Sequence, residues 1–143
     1  MVLGVPFGAI AASDLADVIA EARPSHLRIL TGRCLLLEGA RAVTHGALIA
    51  EADHPLLTVS ACPGAPFCPA AGIATRDIAR LLANRVEGGL HVSGCSKGCA
   101  SPKPVKTTIV GRDGFFDVIT SGRASDPPHH MGLTEAELME LFP

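Results

Sequence analysis

Leu56-Leu-Thr-Val-Ser-Ala-Cys62-Pro-Gly-Ala-Pro-Phe-Cys68 and Leu90-His-Val-Ser-Gly-Cys95-Ser-Lys-Gly-Cys99 are the stretches on which this chain turns. Each begins as an apolar run of strand length and ends in a loop of small residues carrying two cysteines, C-x5-C in the first and C-x3-C in the second. Gly and Pro in these loops let the backbone come close to the sulfurs. Thiolates are soft ligands, and four of them complete a [4Fe–4S] cubane. Zinc is the rival, because four-cysteine structural sites are common. Paired zinc ligands generally have two to four residues between them; the longer spacing from Cys62 to Cys68 suits a larger group. Four buried structural thiols are the plain alternative, which two tight Gly/Pro loops disfavour.

Both pairs follow the C-terminal end of a strand, so adjacent parallel strands would bring both loops to one sheet edge. After Cys68, residues 70–85 show helical spacing of Ile73, Ile78, Leu81 and Leu82, and Pro69 suits a first helical turn. A helix starting there would point its positive end at the dianion that four thiolates form around a cubane.

Outward from these loops the chain predicts an α+β fold. A strand is expected over residues 2–7 and a helix over 14–22, with Ser13 as N-cap, Leu15, Val18, Ile19 and Ala22 on its apolar face, and Pro24 beyond its end. His26–Leu30 and Cys34–Leu37 read as strands around Thr31-Gly32, and a second helix is expected over 40–51. Leu56–Ser60 and Leu90–Ser93 are strands leading into the cysteine loops. Lys106–Val110 and Phe115–Thr120 form a hairpin about Asp113-Gly114. Residues 121–132 read as a polar loop. Thr134 and Glu137 have capping-box spacing for a last helix to Leu141. The expected division is 1–54 and 55–143.

The chain has 143 residues, 48% apolar and 18% charged, with no Trp or Tyr. That is one domain or two small lobes. A net charge of −2 gives no bulk attraction to nucleic acid. No basic leader and no run of about 18 apolar residues is visible, so no membrane association and a cytoplasmic location are expected. Five cysteines without secretion argue against a disulfide framework. The fifth, Cys34, reads as a small core residue. Arg28, Arg33 and Lys97 are candidates for an anionic ligand, with Lys103 and Lys106 close by. Lys97, inside the second loop, would also raise a cluster's potential. His91 reads as a strand residue near the cluster edge, where its ring could hydrogen-bond. His129-His130 lies in a Pro-containing loop, without a carboxylate motif for a second metal.

The cysteine strings, with Leu3-Gly4-Val5-Pro6-Phe7-Gly8, Leu27-Arg28-Ile29-Leu30 and Arg33-Cys34-Leu35-Leu36-Leu37, resemble the nitrite/sulfite reductase superfamily over nearly the whole chain. Within it the likeness is to the precorrin-3B synthase type. The resemblance implies a ferredoxin-like half-domain followed by an α/β cluster domain, with Cys62, Cys68, Cys95 and Cys99 binding a [4Fe–4S] cluster. It implies a tetrapyrrole substrate, precorrin-3A, hydroxylated with dioxygen and closed to a lactone in cobalamin biosynthesis, with a non-haem iron also involved. Arg28 and Arg33 match positions where the family sets basic groups against tetrapyrrole carboxylates. In sirohaem-dependent members the cysteine corresponding to Cys99 bridges to the sirohaem iron, so a nitrite or sulfite reductase fragment is an alternative. A noncatalytic iron–sulfur electron carrier is another. Family enzymes repeat this unit and are longer; this chain resembles the cysteine-bearing C-terminal repeat. A second repeat-like chain, a homodimer or an electron donor is the expected partner.

Overall fold

The structure, a computed structural model, describes residues 1–143. It is α+β, with three helices and two sheets, and its chain divides into two units, Met1–Leu57 and Thr58–Pro143.

The first unit holds β1 (Val2–Gly4), α1 (Ala12–Ala22), β2 (His26–Leu30) and β3 (Cys34–Glu38). Its sheet is antiparallel in the order β1-β3-β2, with Leu3 opposite Leu35 and Leu27 opposite Leu37. The period of two along each strand puts Leu3, Leu35 and Leu37 on one face, packed with Val18 and Ala22 of α1. This arrangement is consistent with a ferredoxin-like half-domain. Several expectations shift. β1 stops at Gly4, and Pro6–Gly8 forms a 3-10 turn. Helix α1 is capped by Ala11 without a side-chain bond, so Ser13 falls inside its first turn. Ile19 is 40% exposed rather than part of the buried stripe. Cys34 alternates to the face opposite Leu35 and is half-buried, its thiol 3.4 Å from the Gly32 carbonyl. The helix expected over 40–51 does not form. Gly46 interrupts the segment, the His45 ring accepts the Ala47 N–H, and Ile49 exchanges two backbone bonds with Gly4. The segment's backbone groups are therefore drawn to a sheet edge, while Val43, Leu48 and Ile49 still bury their side chains.

The second unit holds β4 (Ser60–Ala61), α2 (Thr75–Leu82), β5 (Leu90–Ser93), β6 (Val105–Arg112), β7 (Phe115–Gly122), β8 (His130–Leu133) and α3 (Glu135–Leu141). The sheet runs β4-β5-β6-β7-β8; β4, β5 and β6 are parallel, the rest antiparallel. Ile78, Ala79 and Leu82 of α2, Leu138 of α3, and Leu90, Val92, Ile109 and Val118 of the strands form much of the buried apolar set. Each fully buried leucine contributes about 1.5–3 kcal/mol of transfer free energy. The hairpin forms as the sequence predicts, with Asp113 and Gly114 both at positive φ, as a type I′ turn requires. Four differences matter. Residues 55–57 make a 3-10 turn, which leaves β4 only Ser60–Ala61. Helix α2 starts at Thr75, so Pro69 lies well outside its first turn; Gly72 instead donates to the Gly94 carbonyl at 2.8 Å. Leu81 is half exposed. Part of the expected polar loop 121–132 is the strand β8, paired to β7.

Parallel neighbours need a crossover, usually helical. Between β5 and β6 that crossover is the irregular segment 94–104, which contains the second cysteine pair. No helix is long and apolar enough to cross a membrane.

The capping box of α3 is present in both directions: Glu137 N–H donates to the Thr134 hydroxyl, and Thr134 N–H donates to the Glu137 carboxylate at 2.8 Å. The Thr134 N–H bond, joined by one from the Thr134 hydroxyl at 2.7 Å, holds the Glu137 carboxyl below its ordinary range. Thr134→Ala is expected to lower unfolding free energy by about 1 kcal/mol, the usual value of an N-cap. Denaturant titration at neutral pH checks it; an unchanged midpoint would show that α3 is held by Leu138 alone.

Candidate metal centre

The pairing of β4 with β5 sets the two cysteine loops side by side. Ser60 lies opposite His91 and Ala61 opposite Val92, so Cys62 leaves the sheet level with Ser93. Its N–H reaches the Val92 carbonyl at 3.4 Å, and its sulfur accepts the Gly94 N–H at 3.3 Å. The first cysteine is thus bonded to the residue directly before Cys95. A second tie runs from Cys68 through its carbonyl, which accepts the Ala71 N–H at 3.1 Å, and on through the Gly72–Gly94 bond. Gly94 sits at the junction: a Cβ there would lie 2.5 Å from that of Ala71.

The first loop is also seated on the start of α2. The buried Thr75 hydroxyl donates to the Cys62 carbonyl at 2.5 Å, and Ala65 N–H donates to the Ile73 carbonyl at 2.8 Å. The helix start therefore meets Cys62 and Gly64, and not Cys68 as the sequence suggested. Thr75 was not legible as a site residue, because nothing in its sequence neighbourhood marks a contact thirteen residues back.

Cys62 is buried, Cys68 and Cys95 are half-buried, and Cys99 is exposed. All four are free thiols on two adjoining loops. No three His, Cys, Asp or Glu side chains stand close enough together to hold a metal ion. The donor set and the adjacency of the loops fit a thiolate-bound group; binding one requires the outer sulfurs to move inward. Lys97 is exposed on the second loop. A cavity of about 370 Å³ opens beside Cys95 and is lined by Pro69, Ala71, Gly72, Ser96 and Arg112. Arg112 is paired to the buried Asp117 at 3.0 Å.

His91 lies wholly buried on β5, and neither ring nitrogen has a hydrogen-bond partner. Its Cε1 is 3.7 Å from where a Cβ on Gly98 would stand, so its ring lies under the second cysteine loop. Burial pushes its pKa below the ordinary value of about 6.5. The unfolded chain then binds the proton more readily than the folded one, so stability is full above about pH 6.5 and is lost as pH falls toward the lowered folded value. Urea midpoints of the metal-free protein are expected to fall between about pH 7.5 and 5.5, and this slope should flatten in His91→Gln. Parallel slopes in the two proteins would show that His91 is not the group responsible.

Of the other predicted residues, Arg28 and Arg33 lie in the first unit and His129 in the second. Arg28 is mid-strand and pairs with Glu38 at 2.7 Å, so it already has a carboxylate partner. Arg33 follows the β2–β3 turn and donates to the Leu57 carbonyl. His129 is engaged with backbone, its ring accepting the Thr120 N–H at 3.1 Å.

No family model matches this chain. One curated relative is a precorrin-3B synthase, from Sinorhizobium sp. The two are 30% identical over 145 residues, which is 88% of this chain and 31% of the relative. The chain thus spans about a third of the length of the precorrin-3B synthase that it matches.

Proposed function

We propose that this chain is the cluster-bearing part of an oxidoreductase of the precorrin-3B synthase type, acting on a tetrapyrrole in cobalamin biosynthesis. Cys62, Cys68, Cys95 and Cys99 would hold a [4Fe–4S] cluster. The observation that carries the reading is the bond from Gly94 N–H to the Cys62 sulfur, which joins the two cysteine loops at one sheet edge. The likeness to a precorrin-3B synthase supports the oxidoreductase and cobalamin assignments.

When bound, the cluster supplies one-electron transfer. The chain's own residues prepare for it. Thr75 fixes the Cys62 backbone through its carbonyl. The Gly94 N–H points at a sulfur that is anionic once ligating, and favours that charge. Lys97 adds positive charge within the second loop. Arg28 and Arg33 provide guanidinium groups for tetrapyrrole carboxylates, Arg28 sharing its charge with Glu38. The overall reaction takes one oxygen atom of dioxygen into precorrin-3A; the other leaves as water, with two electrons and two protons from an external reductant. A second repeat-like chain, or a second copy, completes the substrate cleft, and a non-haem iron serves the oxygen chemistry. A noncatalytic electron-transfer subunit is the second reading, since the four thiols account for a cluster without any substrate site.

Anaerobic reconstitution with ferrous iron and sulfide tests the proposal. The expected product is brown, with a broad shoulder at about 400 nm and about four irons per chain. Precorrin-3A, dioxygen, reductant and a candidate second chain should then yield a product heavier by one oxygen atom. A colourless protein holding one zinc ends the cluster reading. A brown protein that never converts the tetrapyrrole in any pairing supports the carrier, and an intense Soret band in the protein as purified supports the sirohaem alternative.

A further inference from the structure

His91 is the buried imidazole under the Cys95–Cys99 loop, with two unpartnered nitrogens. A buried polar group left unpaired loses the hydrogen bonds it made to water, so a ring with neither nitrogen engaged calls for a partner. The nearby strand groups are already committed. Thr108, opposite it on β6, donates its hydroxyl to the Gly122 carbonyl at 2.9 Å. Ser93, next along the same face, donates to the Cys95 carbonyl at 2.7 Å. Above the ring is Gly98, which packs against Ala124 and brings no side chain of its own. The chain beside Gly98 is Lys97 and Cys99, and Cys99 is the most exposed of the four thiols. The same loop therefore carries sulfurs that are not yet gathered and covers a donor that is not yet paired.

We propose that His91 donates a ring N–H hydrogen bond to a sulfur of the metal centre held by the Cys95–Cys99 loop. The inference rests on the cluster reading above. Such bonds to cluster sulfurs help set reduction potential, and ligand-supporting partners of this kind tune a metal site from outside its ligand set. A donor favours the more negative, reduced state, so its removal lowers the potential. His91 thereby assigns a role in potential setting to a residue that ligates nothing.

The test uses the full-length protein reconstituted with iron and sulfide, and compares wild type with His91→Gln and His91→Leu. Iron content and absorbance should match in all three. In His91→Leu the one-electron reduction equilibrium should shift about tenfold toward the oxidised state, which is about 59 mV for one electron; His91→Gln, which retains a donor, should recover most of it. If His91→Leu does not fold, pulsed EPR of the reduced wild type labelled with 15N-histidine decides. A histidine nitrogen coupling that His91→Gln abolishes is expected. Full iron with an unchanged potential in His91→Leu, or no such coupling in wild type, overturns the proposal and leaves His91 bonded to water or to a loop carbonyl. A wild type that takes up no iron would instead overturn the cluster reading itself.

Discussion

Cys62→Ser is expected to lose nearly all iron on reconstitution, while Cys34→Ser keeps the wild-type content. A serine oxygen is a hard donor and replaces the soft thiolate that iron–sulfur groups require. Cys62 should be the most damaging of the four positions because the protein fixes it most firmly: it is buried, its sulfur meets the Gly94 N–H, and its carbonyl meets the Thr75 hydroxyl. Cys68→Ser and Cys95→Ser follow. Cys99→Ser should be the mildest, since that residue is exposed and the least restrained. Circular dichroism of the metal-free variants should be unchanged, which separates loss of a ligand from loss of the fold. The measurement is iron and sulfide per chain after desalting. Four serine variants that all keep full iron would remove these loops from the metal chemistry.

Gly64→Ala should destabilise the second unit by about 2–5 kcal/mol. Two terms add. Gly64 has φ +68, and a Cβ in that left-handed conformation costs about 1–2 kcal/mol. The new methyl would also lie 2.6 Å from the Thr75 hydroxyl and 2.7 Å from the Thr75 nitrogen; inserting an atom into so tight a place costs about 1–3 kcal/mol. Total stabilities run to about 5–15 kcal/mol, so the loss is a large fraction. Gly114→Ala is the matched control: its φ is +85, but nothing lies within 4 Å of its would-be Cβ, so it should lose only the backbone term. Denaturant midpoints compare them. Equal losses would mean that the first loop yields freely and is not seated on α2. Iron uptake should also fall in Gly64→Ala, because the displaced Thr75 no longer fixes the Cys62 carbonyl.

Much of this architecture was readable from residue order. The α+β class, the Asp113-Gly114 hairpin, the Thr134–Glu137 box and the side-by-side cysteine loops follow from local signals: alternation, a turn pair with positive φ, a cap spacing, and strands that end in Gly/Pro loops. What escaped was set by distant partners. Residues 40–51 have the apolar spacing of a helix, yet Ile49 exchanges its backbone bonds with Gly4. Residues 70–74 look helical until Gly72 finds the Gly94 carbonyl. Residues 130–133 look like loop until β7 offers an open edge. In each case the backbone had two ways to satisfy its hydrogen bonds, and the winning partner was far along the chain. At the site, the spacing points to two cysteine loops, and the structure sets those loops side by side. Thr75 is not legible there, and for His91 the sequence offers a hydrogen bond near the edge but not the full burial of its ring, because that enclosure depends on a crossover folding back over the sheet.

That crossover has a consequence for synthesis. Cys62 and Cys68 leave the ribosome well before Cys95 and Cys99, and the later pair is anchored only when β6 has paired with β5 and drawn segment 94–104 across the sheet. A nascent chain therefore carries half of this donor set until β5 and the segment after it have been made. Any iron delivered to these loops must arrive after translation has passed β6, at a scaffold already folded.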